Sequence, residues 1–263
     1  MVSITGHLLP WVGQFALILV RISGLFLLSP IWGRANVPST LKVCLSALLS
    51  LILIGFFPPP EVFPHASLAA FLFACLGEVL VGLVLGFITT LFFSIVFTAG
   101  QIIDMQIGFG MVQVYDVQQN IQIPIAGSLL NLILLLCFLM ADGHMDLIRI
   151  LHNTFSYIPV GQARLTAALP AVVVGAFAES FVLAVQVAMP VIASGLLAEI
   201  SLGIIVRTAP QMNVFVIGLP LKTLIGLVMM VLIVPVFVRA TGPVFDAMFA
   251  TLEEAFFTMM PAG

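Results

Sequence analysis

Five ionisable residues stand within or at the edges of long apolar runs: Arg21, Glu78, Glu179, Glu199 and Lys222. A charge facing lipid at the bilayer centre costs about 2.5–3.5 kcal/mol on insertion scales, so such side chains face protein or water. Two chemistries remain open for them. One is structural ion pairing between helices of an assembly, with Arg21, Arg207 or Lys222 set against Glu78 or Glu199. The other is a pathway for protons or small solutes. Asp142, His144 and Asp146 cluster around Gly143 with spacing that could present metal ligands, but the same residue types build a solvated polar turn. Cys44, Cys75 and Cys137 sit inside apolar runs without a C-x-x-C pair and read as small buried hydrophobes. Gly108-Phe109-Gly110 is only a G-x-G. No nucleotide loop, nucleophile elbow or H-E-x-x-H pattern occurs, so no catalytic residue, cofactor or metal is expected.

The composition decides which elements hold these residues. Of 263 residues, 62% are hydrophobic and 7% charged, against about 25% charged in soluble domains. Mean hydropathy is +1.28. Eight Lys/Arg and eleven Asp/Glu cannot coat a soluble surface of this size, and a net charge of −3 leaves no basic footprint for nucleic acid. A cytosolic enzyme, a nucleic-acid binder and a disordered linker are excluded; an all-α integral membrane protein covered by lipid or other proteins is implied. The first positive charge, Arg21, lies well inside the first apolar run, so no basic n-region marks a cleaved leader and that run is expected to be retained.

Apolar runs cover 8–32, 41–57, 68–99, 123–141, 169–206 and 214–238. With about 20 residues needed per crossing, they predict six to seven helices in a single unit, 1–263. Pro58-Pro59-Pro60 stop the second run, and Pro190 is expected to divide the fifth into two short helices. Polar segments separate the runs at 100–122 and 142–168, and a tail begins at Arg239. Arg34 and Lys42 argue for a cytoplasmic first loop. The third run carries a row at four-residue spacing, Ala70, Ala74, Glu78, Gly82, Gly86, Thr90, Ser94 and Thr98, small throughout except for Glu78. Small residues let helix backbones approach closely. Gly195, Glu199, Gly203 and Arg207 repeat the spacing, so Glu78 and Glu199 share the pattern E-x-x-x-G. Residues 104–122 hold five glutamines, two aspartates and no positive charge. Such a segment suits a protein-lined cavity or an exposed connection. In 207–222, Pro210 and Pro220 predict a structured break, with Gln211 and Asn213 able to satisfy freed backbone groups.

The block Pro210-Gln211-Met212-Asn213-Val214-Phe215-Val216-Ile217-Gly218-Leu219-Pro220-Leu221-Lys222 resembles the most characteristic motif of the FliR family of flagellar type III export proteins. Arg21 to Gly24, Pro30, Arg34, Pro38 to Lys42, Gly77-Glu78, Gly82, Gly86, Gly100-Gln101, Asp104, Gly108-Phe109 and Gly143-His144 fit it in order, so the resemblance covers essentially the whole chain. It implies a non-enzymatic subunit of kinked hairpins in a helical export gate in the bacterial inner membrane. One copy would join five FliP-like and four FliQ-like subunits, beside FlhB-like and FlhA-like proteins and within the basal-body ring, with unfolded proteins passing through the pore. It further implies that the loop containing Gly108, Phe109, Gly110, Met111, Val112 and Gln113 plugs that pore. The same fold in a virulence injectisome and a small-solute or ion transporter are the rival readings.

Overall fold

The computed structural model describes residues 2–33, 37–58, 68–109, 124–163, 166–208 and 214–260, with side chains of the first helix from Pro10 and of the last from Val216. The described residues form seven helices and no strand. They are α1 (Val2–Leu28), α2 (Ser39–Ile54), α3 (Leu68–Ile107), α4 (Ile125–Met140), α5 (Gly143–Tyr157), α6 (Leu169–Thr208) and α7 (Val214–Thr258). Pro10–Leu28, Leu68–Ile107, Leu169–Thr208 and Val216–Thr258 are long and apolar enough to cross a membrane, and the bent pair α4–α5 supplies a fifth crossing if taken as one span. The protein is an all-α membrane protein.

Several helices run further than the sequence pattern predicts. α6 continues through Pro190, and α7 continues through Pro220, Pro235 and Pro243. In an apolar setting a helix satisfies nearly all of its own backbone, so proline removes one bond without ending the element. The expected tail from Arg239 is therefore the last part of α7, and Pro220 lies inside a helix where a break was expected. Residues 104–107 complete the last turn of α3. The polar segment 142–168 contains α5, an amphipathic helix whose polar face kept it out of the apolar runs.

The chain forms two compact units. The first comprises 1–92, 142–177 and 246–263; the second comprises 93–141 and 178–245. α3, α6 and α7 each contribute one part to each unit.

In the first unit α1 lies against α3 along the small-residue row. A Cβ at Gly24 would sit 2.9 Å from the Val79 carbonyl oxygen, and one at Gly86 would sit 2.9 Å from that of Leu25. A Cβ at Gly82 would collide with the Arg21 carbonyl and lie 3.0 Å from Gly24 Cα. Thr90 Oγ1 then donates to the carbonyl of Leu28, the last residue of α1. Glu78, Gly82, Gly86 and Thr90 thus all meet one helix. The end of α7 joins this unit through the stacked rings of Tyr157 and Phe256, 5.6 Å apart.

In the second unit α3 and α4 form an antiparallel hairpin. Gly127 packs against the Phe97 backbone and Gly100 against Gly127, too closely for a Cβ on Gly100. Phe138 stands edge-on to Phe93 at 5.3 Å and to Phe245 at 5.2 Å, tying α4 to α3 and α7.

Asp142, between α4 and α5, takes a left-handed backbone at φ 54°. Aspartate is among the few residues that adopt left-handed backbone without large strain. Its carbonyl accepts from the N–H groups of Met145 at 2.8 Å and Asp146 at 3.2 Å, so the Asp142–Asp146 cluster builds a turn.

Two glycines separate close packing from mere smallness. Gly82→Leu should destabilise the purified chain by about 1–3 kcal/mol or more, since backbone must move. Gly203→Leu, with nothing within 4 Å of its Cβ position, should stay within about 0.5 kcal/mol. Thermal unfolding of both variants in detergent checks this; equal midpoints would remove the packing role of Gly82.

Candidate functional site

Arg21 is fully buried on α1, and so is Glu78 on α3. Their pair is bidentate: Nε donates to Oε2 at 2.5 Å and Nη2 to Oε1 at 3.0 Å. The guanidinium has further partners. Nη1 donates to Thr154 Oγ1 at 3.2 Å, and Nη2 to the Ile158 carbonyl at 3.1 Å. Its centre stands 4.2 Å over the Phe155 ring, a cation–π contact. Glu78 Oε1 also accepts from the Gly161 N–H at 2.7 Å, at a glycine whose φ of 80° suits no other residue well. One ion pair therefore joins α1, α3, α5 and the turn after α5. Both carboxylate oxygens are engaged, which fits a structural clasp.

The second unit gathers the remaining sequence-selected residues at the end of α3. α3 stops at Gly108, at φ 94°, whose N–H donates to the Asp104 carbonyl at 3.1 Å. Glycine past the last turn is the usual helix terminator because it alone takes left-handed backbone freely. Asp104 is 2% exposed. Its carboxylate accepts from the N–H of Ile125 at 2.7 Å and of Ala126 at 3.2 Å. Those are orphan donors of the first turn of α4, where a negative charge is also favoured by the helix dipole. The connection 109–124 thus leaves α3 at Gly108 and returns to a helix start capped from one turn earlier in α3. Leu219, inside the resemblance block, lies 3.5 Å from the Cβ position of Gly108. The loop root and Leu219 of α7, far apart in sequence, meet here.

Other candidates divide. Lys222 and Glu199 form an ion pair between α7 and α6 that remains partly exposed. Arg207 and Glu179 are exposed on α6 without an ion-pair partner among the described residues. Gly218 is buried and Pro220 exposed on α7. Gly110, Met111, Val112, Gln113, Pro210, Gln211, Met212, Asn213 and the side chain of Phe215 lie outside the described residues. Arg34 does too, while Lys42 Nζ donates to the Gly33 carbonyl at 3.0 Å. The capping role of Asp104 escapes a reading by sequence, which counts it as a loop charge. Its partners are two backbone N–H groups some twenty residues on, which leave no residue signature in the sequence.

Comparison with known proteins settles the relationship. The family described as "Bacterial export proteins, family 1" matches residues 12–248. The chain is 34% identical over 246 residues to flagellar biosynthetic protein FliR of Bacillus subtilis (strain 168), covering 91% of this chain and 93% of the relative. It belongs to the FliR family. FliR of Escherichia coli (strain K12) is 29% identical, covering 94% of each chain, and FliR of Aquifex aeolicus (strain VF5) is 31% identical, covering 89% and 90%. The match to the FliR family spans both units, the Arg21–Glu78 clasp and the α3 terminus alike.

The two ion pairs should respond differently to mutation. Glu78→Gln leaves a buried guanidinium short of charge and should cost about 3–5 kcal/mol, much of it recovered in the double variant Arg21→Met, Glu78→Leu. Glu199→Gln, at a partly exposed pair, should cost no more than about 1 kcal/mol. Unfolding midpoints of the three variants test this. A double variant less stable than Glu78→Gln would show that the clasp itself stabilises the fold.

Proposed function

We propose that the chain is a pore or gate subunit of the flagellar type III export apparatus, in the bacterial inner membrane at the basal body. Membership of the FliR family makes it a membrane-embedded component of flagellar protein export. The finer reading is that one copy assembles with five FliP-like and four FliQ-like subunits, beside FlhB-like and FlhA-like proteins, around a path for unfolded flagellar proteins. In this reading the chain works by shape, packing and charge and performs no catalysis.

The observation that carries the subunit reading is the uneven covering of its apolar spans. The span in α3 is 61% buried within the chain, whereas those in α6 and α7 are 28% and 22% buried. Lipid alone could cover such faces, but Glu179 is exposed on α6, and a lipid-facing carboxylate is costly. A protein neighbour or a water-lined path accommodates it. The relatives named above are flagellar proteins, which favours the flagellar over the injectisome reading. The transporter reading loses its best acid, because Glu78 is consumed by Arg21 and Gly161.

Within this function, Gly108, Phe109, Gly110, Met111, Val112 and Gln113 are assigned to the pore plug. Support comes from the described ends of the connection, which Asp104 and Gly108 hold within one turn of α3. Flexible Met beside Gly can seal a passage and yield to a moving chain.

Two measurements test the proposal. Co-expression with FliP- and FliQ-like proteins should give one copy of this chain in a larger hetero-oligomer by native mass spectrometry; a stable monomer or homodimer that ignores them overturns the subunit reading. Deleting 110–116 should raise leakage of ions or small solutes with the complex still assembled. Leakage equal to the parent's removes the plug role.

A further inference from the structure

α3 does not end in open space. Thr223, on α7, places its Oγ1 3.0 Å from the carbonyl of Ile107, the last residue of α3, and 3.0 Å from that of Leu219 in its own helix, and its single hydroxyl proton is shared between them. The Ile107 side chain is 1% exposed and presses on Gly226, one helical turn further along α7. A Cβ at Gly226 would overlap Ile107 Cγ1 and lie 3.1 and 3.2 Å from its Cδ1 and Cβ, so the whole side chain would have to move. On α6, a Cβ at Gly195 would stand 3.0 Å from Gln106 Oε1. Glu199 and Lys222 join the two helices beside this point, one turn from Gly195 and one residue from Thr223.

We propose that Thr223, Gly226 and Gly195 form a seat that positions the terminus of α3, and that the Glu199–Lys222 pair is the latch holding its two walls together. The seat acts on three features at once. It satisfies an end carbonyl that has no intrahelical partner. It has two glycines where Ile107 and Gln106 approach. It thereby fixes where the chain leaves α3 at Gly108, and with it the origin of the connection to α4. These are positioning residues for export: they need touch no cargo, yet a displaced α3 terminus would carry the root of that connection with it. The inference rests on the reading of the chain as a flagellar export component.

The test is size and charge exchange in full-length chain, expressed in a cell lacking its own copy, with secreted flagellar protein and complex assembly both measured. Gly226→Val should lower secretion by about tenfold, the shift expected from modest overpacking strain. Ile107→Ala in the same chain should restore it to within about twofold. Gly242→Val, on α7 with nothing within 4 Å of its Cβ position, is the size control. If Gly226→Val abolishes the complex, Thr223→Val decides: it keeps the shape and removes the donor, so secretion should fall with assembly retained, and Thr223→Ser should restore it. Glu199→Lys and Lys222→Glu should each impair secretion and together recover it. Parent-level secretion by Thr223→Val, or no recovery in either exchange, overturns the seat. Failure of the parent chain to support secretion overturns the export reading instead, so the two failures are distinct.

Discussion

Every helix leaves its last carbonyls without intrahelical partners, and an apolar chain has little water nearby to take them. Here side chains from other helices or connections do so. Thr90 caps Leu28 at the end of α1, Thr223 caps Ile107 at the end of α3, and Thr166 caps Thr258 at the end of α7 at 2.5 Å. Arg21 takes Ile158 just past α5, and Asp104 serves the opposite polarity by binding the first N–H groups of α4. Apolar burial is non-directional and would let helices slide along one another. A hydrogen bond to a particular terminal carbonyl does not. These few polar contacts therefore set axial position, while glycine and aliphatic faces supply the area.

Arg21 illustrates how this constraint governs charge. A buried ion pair recovers its desolvation cost only when geometry is good and the remaining donors are satisfied. Glu78, Thr154 and the Ile158 carbonyl take three directions of the guanidinium, and Phe155 covers its face. The net gain in stability is small by this reasoning. What the network specifies is arrangement: α1 must present Arg21 at the level of Glu78 for the carboxylate to reach the Gly161 N–H as well. The small row from Glu78 to Thr90 then has a fixed starting point on α1.

Much of this was legible in the sequence. The composition announces a membrane protein, the Glu78–Gly82–Gly86–Thr90 spacing announces a close helix contact, and the charges within apolar runs announce pairing. What the pattern could not give was the identity of each partner, since Arg21 and Glu78 are linked only through space. Pro58 does follow the end of α2, but the breaks expected at Pro190 and Pro220 are absent. Pro190, Pro220 and Pro235 lie inside helices because an apolar environment penalises a broken backbone more than a missing bond. Asp104 looked like loop polarity because its partners, two backbone N–H groups, have no residue signature. The threonine caps were hidden for the same reason: a threonine that reaches a carbonyl on another helix reads like any other small residue.

The pattern E-x-x-x-G occurs twice, and its two copies meet opposite fates. Glu78 is sealed inside the chain, and Gly82 lies against α1 backbone. Glu199 remains partly exposed, and Gly203 has nothing within 4 Å. A glycine in a helix interior costs roughly 0.5–1 kcal/mol relative to alanine. At Gly82 the close approach of α1 offsets that cost; at Gly203 nothing among the described residues does. Gly175, on the same helix, stands equally open, and Glu179 is exposed one turn beyond it. A helix shaped only for lipid gains nothing from open glycines and a bare carboxylate. A helix that meets another polypeptide gains from both, through close backbone approach and a charge partner. α6 thus carries the signature that α3 satisfies internally, unmatched among the described residues, which is the pattern that the proposed subunit role predicts.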